Sequence, residues 1–304
     1  MVSSVIQKQD RALFGIILMI FAYFVFSFID ASAKWLSAAG LPAMQLAFMR
    51  YLAHLGISAS LLGRDGELGS LLKTRRILIV MFRGSLLMGS TVMNFIAVQY
   101  LPLTLTSTIL FSAPIIICLL SWPLLGERVG YWRWFAINLG FIGILVAIRP
   151  FDADFHYAAF YSIGGAFCFA LYSILTRKLA GEISVDVMQF HSGFVGTFVL
   201  LPFAVIGWQS PTSAMDWTIM VMLGVFGWMG HQLLTHAHSF AAANVLTPFG
   251  YSFILFLTIW SYLLFDHLPD KWTVLGASII ITSGLIIWFR EMKNANIAKH
   301  SKAT

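Results

Sequence analysis

Leu86-Leu87-Met88-Gly89 in the first half of the chain returns as Trp228-Met229-Gly230 in the second, and this recurrence decides the fold. Working outward from it, Met44-Gln45 returns as Met188-Gln189, and Phe24-x-Phe26 with Lys34-Trp35-Leu36 returns as Phe167-x-Phe169 with Arg177-Lys178-Leu179. Leu125-Gly126-Glu127-Arg128 has a looser echo in Leu264-Phe265-Asp266-His267. Each half carries five apolar runs of membrane length, and an odd number of spans per repeat forces the second copy to sit upside down in the bilayer. Inverted repeats of this kind recur in secondary transporters, with the substrate site near the midplane between the halves.

Composition agrees: of 304 residues 59% are hydrophobic and 11% charged, with a mean hydropathy of +0.83, far from a soluble domain. A span needs about 20 mainly apolar residues, and ten runs qualify: 12–33, 42–62, 77–98, 103–124, 130–149, 157–178, 187–207, 217–239, 244–265 and 271–290. Backbone polar groups must be paired within lipid, and the runs are too long and unbroken for barrel strands. The expected fold is therefore an all-α integral membrane bundle of ten helices. Its two inverted repeats cover 1–149 and 150–290, with a basic tail at 291–304, and the short connections leave no room for a soluble catalytic domain.

Of the 19 Lys and Arg, fourteen fall in loops and tails on one side, from Lys8 and Arg11 through Arg75 and Arg76 to Lys299 and Lys302, against Lys34, Arg149 and Lys271 on the other. That bias places both termini in the cytoplasm. The net charge of +6 and pI near 9.4 thus record topology and anionic lipid, not nucleic-acid binding. The first apolar run is long and no small-residue cleavage pattern follows it, so it reads as a retained first span. Cys118 and Cys168 both fall inside predicted helices, which argues against a disulfide framework and against a metal site.

These residues resemble the EamA-type branch of the drug/metabolite transporter superfamily over essentially the whole length. The resemblance rests on the two five-helix repeats and on Pro102 to Ala147, where Ser112-Ala113-Pro114 runs into Leu124-Leu125-Gly126-Glu127-Arg128 and a helix with Gly140 and Gly143 follows. Asp30-Ala31-x-x-Lys34-Trp35-Leu36, then Pro42 and the run to Arg50, looks like the subset that includes riboflavin and S-adenosylmethionine carriers. The resemblance implies a carrier for small organic solutes with no cofactor. Phe265-Asp266-His267 in place of Gly-Glu keeps any role for that glutamate out of the second half.

Ionisable groups inside spans are expensive and need an account. Arg50, with His54 one turn on, could hold a substrate carboxylate with its planar fork, or pair with a carbonyl or acid and fix packing. Arg83 lies about two turns from the cytoplasmic end of its helix, from where a long side chain snorkels to the headgroups. Asp30 and Lys34, one turn apart, are placed to neutralise one another; the functional alternative is an outer gate or a proton-sensitive carboxylate. Ser90, Asn94 and Ala97 share a face of the third span, and a shift of 141 residues maps them to His231, Thr235 and His238. A polar stripe recurring in both repeats suits a shared cavity, where histidine can bond substrate or carry a proton. Tyr172, Trp228 and Tyr251 fall deep enough to stack on a flat or cationic ligand. Pro114 and Pro248 interrupt spans and serve either as hinges or as simple kinks. Small-residue spacings such as Ala136-x-x-x-Gly140 place the fifth and tenth spans at the periphery or at a homodimer contact.

The leading expectation is a secondary carrier for an amino-acid-like, vitamin-like or nucleoside-bearing metabolite in the inner membrane, driven by protons, or by no ion where the process is exchange or facilitated diffusion. The rival is a flippase for lipid or lipid-linked headgroups, which would use Arg50 and Arg83. An enzyme is disfavoured because no HExxH, Walker loop or nucleophile–base pattern occurs.

Overall fold

The computed structural model describes residues 2–64, 76–125, 130–152, 155–179, 182–241 and 246–301; the side chains of 2–12, 121, 122, 125, 133, 247 and 291–301 lie outside the description. The Gly126-Glu127-Arg128 part of the sequence motif therefore falls outside it.

Every regular element among the described residues is a helix. The first half comprises α1 (Val2–Ala38), α2 (Ala43–Arg64), α3 (Ile77–Tyr100), α4 (Leu103–Leu110), α5 (Ala113–Leu125) and α6 (Tyr131–Ile148). The second comprises α7 (Ala159–Leu179), α8 (Val185–Ile206), α9 (Ala214–Phe240), a 3-10 turn (Thr247–Tyr251), α10 (Ser252–Phe265) and α11 (Lys271–Ser301). Among the described residues nine helical stretches are long and apolar enough to cross a bilayer, and Trp134–Ile148 is a shorter apolar tenth. The chain is a multi-pass membrane protein. Two elements outrun the apolar runs read from sequence: α1 begins at Val2 and α11 continues to Ser301, so the basic tail continues the last helix.

The junctions follow local chemistry. Gly40, at φ 89°, occupies the left-handed position that closes α1, where a side chain would be strained. Ser213 caps α9 by accepting from Asp216 N at 3.0 Å and donating to Asp216 Oδ2 at 2.7 Å. The run 103–124 is broken at Phe111-Ser112 into α4 and α5. Pro114 is the second residue of α5, where a missing N–H loses no helical bond. Pro248 is likewise second in the 3-10 turn that precedes α10.

Packing exchanges the halves. The contacts of α1 with α9 are matched by those of α7 with α3, and α2 on α9 is matched by α8 on α3. The pairing of α1 with α10 is matched by α7 with α4 and α5, while α2–α8 and α6–α11 pair with their own counterparts. Such a closed set of exchanges is what a two-fold axis between inverted repeats produces. The helices α6 and α11 are not left lipid-facing on both sides: a side chain at Gly276 would strike Gly143 O and Ala147, and Ser283 Oγ donates to Ala136 O at 2.6 Å. The small residues read as a contact surface therefore serve this pair.

At the end of α6 and the start of α11, Arg149 bridges Asp152 at 3.1 Å and Asp270 at 2.7 Å. Partial burial pushes the Asp270 carboxyl up, but the Thr273 N–H and hydroxyl and the Arg149 charge outweigh it and hold the group below its usual range. A carboxylate depressed in the folded state adds stability above its unfolded value of about 4 and loses it as pH falls through the lower folded one. Asp270→Asn should thus lower the thermal midpoint slightly at pH 7, and the gap from the parent should close on acidification below pH 4. A gap of equal size at both pH values would contradict this account.

Candidate functional site

Where α2 crosses α9, glycine allows the two backbones to meet. A side chain at Gly224 would strike Ala53 and Arg50 O, and one at Gly227 would stand 3.3 Å from Arg50 Nε. Arg50 is 8% exposed. Its Nη1 donates to Thr91 Oγ1, which lies 2.8 Å from the Tyr51 hydroxyl and donates in turn to Leu87 O at 3.0 Å. Its guanidinium carbon stands 5.3 Å from the Tyr51 ring centre. Among the described residues its Nε is buried with no hydrogen-bond partner, an unusual state for a charged donor.

His54 is 3% exposed and its Nε2 is also buried without a partner. The His231 ring on α9 is centred 6.3 Å from the His54 ring and 5.1 Å from Phe26. Gln189 of α8 stands beside His54, and its Oε1 is unpartnered too. Asp30 on α1 accepts from Asn94 Nδ2 of α3 at 2.9 Å and lies within electrostatic reach of Arg50. One region thus gathers Asp30, Arg50, His54, Asn94 and His231 from four helices of both halves. Ser90, buried on α3, lines the same helix one turn before Asn94.

Other residues read from sequence go elsewhere. Asp30 and Lys34 do not neutralise each other: Asp30 turns to Asn94, and Lys34 Nζ reaches Leu101 O at 2.9 Å. One helical turn permits a pair, but each side chain found a partner on α3 or just past its end. Arg83 does not snorkel. It is 3% exposed, and every partner belongs to the opposite half: Nε donates to Thr176 Oγ1 at 2.7 Å, Nη2 to Tyr172 Oη at 2.8 Å, and Nη1 to Ser192 Oγ and Met188 O at 3.2 and 3.3 Å. Tyr172 is thereby committed to Arg83, with the guanidinium 4.3 Å from its ring centre. Thr235 bonds back to His231 O, and exposed His238 holds Leu234 O with Nδ1. Trp228 is half-buried, and Tyr251 packs 5.2 Å from Phe111 beside the break between α4 and α5. Thr91, Tyr51 and Gln189 were missed; the Met-Gln recurrence was the signal for the last. Its repeat mate Gln45 is fully used, bonding Gln209 O at 2.7 Å and accepting from Gln209 N at 2.8 Å.

A ten-span inverted-repeat bundle with a buried, incompletely paired polar centre between its halves is the architecture of a membrane carrier. The pattern of the EamA-like transporter family matches residues 13–149 and again 156–289, and the chain belongs to that family. It is 30% identical to an S-adenosylmethionine uptake transporter of Rickettsia prowazekii over 89% of this chain and 90% of the relative. A riboflavin transporter of Vibrio cholerae is 26% identical over 94% and 97% of the two chains, and the pseudopaline exporter CntI of Pseudomonas aeruginosa 26% over 88% and 94%. One crystal structure superposes with a TM-score of 0.61 at 15% identity, covering 91% of this chain and 96% of its own, a likeness of fold alone. The protein is a transporter of this family rather than an enzyme.

Proposed function

We propose that the protein is a secondary carrier of the inner membrane, with both termini cytoplasmic. It moves a nucleoside-bearing, amino-acid-like or vitamin-like metabolite by rocking one half against the other around the Arg50 centre. The observation that carries this reading is the buried, unpartnered Arg50 Nε at the crossing of α2 and α9, one helix from each half. A charge at membrane depth is costly unless it serves a ligand or a partner. Protein groups take Nη1 and leave Nε for a solute. The relatives named for S-adenosylmethionine uptake and riboflavin transport support those two solutes as the first to try. Proton coupling would fall to Asp30, the carboxylate nearest this centre, and Pro114 and Pro248 mark the breaks at which the spans bend.

The test is uptake of radiolabelled S-adenosylmethionine and riboflavin into proteoliposomes. Arg50→Ala should reduce uptake of the true substrate about tenfold or more, corresponding to at least about 1.4 kcal/mol, at unchanged protein incorporation. Uptake that survives the substitution in full would remove Arg50 from the pathway.

A further inference from the structure

Two orphan nitrogens on successive turns of one helix point to a ligand of definite chemistry. Arg50 and His54 are four residues apart, hence on one face of α2, and a helical side chain leans back over the preceding turn, so the His54 ring lies towards Arg50. Among the described residues both Arg50 Nε and His54 Nε2 are buried with no partner of hydrogen-bond geometry. The helix facing them carries no side chain at this level: a Cβ on Gly227 of α9 would stand 3.3 Å from Arg50 Nε and 3.9 Å from Nη2. Gln189 of α8 is within hydrogen-bonding reach of the His54 ring, and its amide oxygen has no partner of ordinary hydrogen-bond geometry among the described residues. Thr91 holds Nη1 and fixes the plane of the guanidinium.

We propose that Arg50 Nε, His54 Nε2 and the gap left by Gly227 form a cradle for an oxyanion, a carboxylate or phosphate group carried by the transported metabolite. A guanidinium edge and an imidazole N–H are both charge-compatible donors to such a group. The glycine lets the group approach Nε without meeting a side chain. This deepens the carrier reading and rests on it, because it assigns the part of the solute that the Arg50 centre holds. It also sets selectivity, since a buried donor pair left unfilled penalises any analogue that lacks the anion.

The experiment compares two probe pairs that differ only in the anion: S-adenosylmethionine with its decarboxylated form, and flavin mononucleotide with riboflavin. Binding to the purified chain in nanodiscs is read from tryptophan fluorescence. The anionic member of at least one pair should bind about tenfold or more tighter than its partner, the first pair reporting a carboxylate and the second a phosphate. Gly227→Ala, which fills the gap without removing a donor, and His54→Phe, which keeps a ring, should each bring the ratio to within about twofold. Equal binding within both pairs overturns the cradle, as does a ratio that survives both substitutions. Binding of none of the four probes overturns it for both anion sources, while the uptake measurement judges the carrier reading separately.

Discussion

Arg83→Ala should destabilise the protein by about 3 kcal/mol or more, the largest loss expected from removing any one charge. Four hydrogen bonds from this guanidinium end on Thr176, Tyr172, Ser192 and Met188 O, all in the second half, while Arg83 itself is on α3. A hydrogen bond to a charged group is worth about 1.5–3 kcal/mol, and deleting one partner leaves the others buried without compensation. Two of those left behind have alternatives, because Thr176 already donates to Tyr172 O at 2.7 Å and Ser192 to Met188 O at 3.0 Å. Among the described residues the Tyr172 hydroxyl has no hydrogen-bond partner besides Arg83, so the loss concentrates there. Arg83→Lys keeps the charge but not the fork that reaches two helices at once, and it should recover less than half of the stability. The measurement is the thermal midpoint in detergent by fluorescence-detected size exclusion, with tryptophan-monitored denaturation to convert it. A midpoint within a degree of the parent for Arg83→Ala would mean that the clasp contributes nothing. The same reasoning separates the two membrane-depth arginines. Arg83 spends Nε, Nη1 and Nη2 on protein, whereas Arg50 keeps Nε unspent, so a loss of folding is expected at the first and a loss of transport at the second.

That division was not legible in the sequence, and the reason is geometric. Position along a helix gives depth in the bilayer, and Arg83 lies only two turns from its helix end, a depth at which snorkelling is the ordinary outcome. What depth omits is the neighbour: Gly84 lets α8 pack so closely that a side chain there would stand 3.1 Å from Ser192 Cα, and this brings Ser192 and Met188 O to the guanidinium. Asp30 and Lys34 were misread for a related cause, since i to i+4 spacing reports what a helix permits in isolation and not what α3 offers. The apolar runs, by contrast, fall within a few residues of the helices at most ends, because hydropathy over some 20 residues is a property of the segment alone. The break at Phe111-Ser112 was foreshadowed by Pro114, although hydropathy reads one span there. Arg50 and His231 could be named from rarity and recurrence; their meeting through His54 needed the crossing of α2 on α9.

Gly224→Val should abolish folding or transport, the most damaging effect expected from adding so little mass. A Cβ at this position already overlaps Ala53 Cβ and stands 2.6 Å from Arg50 O and 3.1 Å from His54 N. Two opposing effects apply even to alanine. Replacing glycine in a helix gains about 1 kcal/mol of propensity, while overpacking a tight contact costs about 1–3 kcal/mol. The atom met here is backbone, which cannot rotate aside, so the clash wins and Gly224→Ala should be destabilising on balance. Valine adds two branched methyls at a crossing where the halves touch, and α2 and α9 must separate. That shift carries Arg50 away from Gly227 and His54 away from His231, so transport should fail even in molecules that still insert. Gly56→Ala, on α2, is the control: nothing lies within 4 Å of its added Cβ, only the propensity gain remains, and its midpoint should match or exceed the parent. If Gly224→Val folds with a parental midpoint and full uptake, the close approach of α2 and α9 is not the contact that holds the two halves in register.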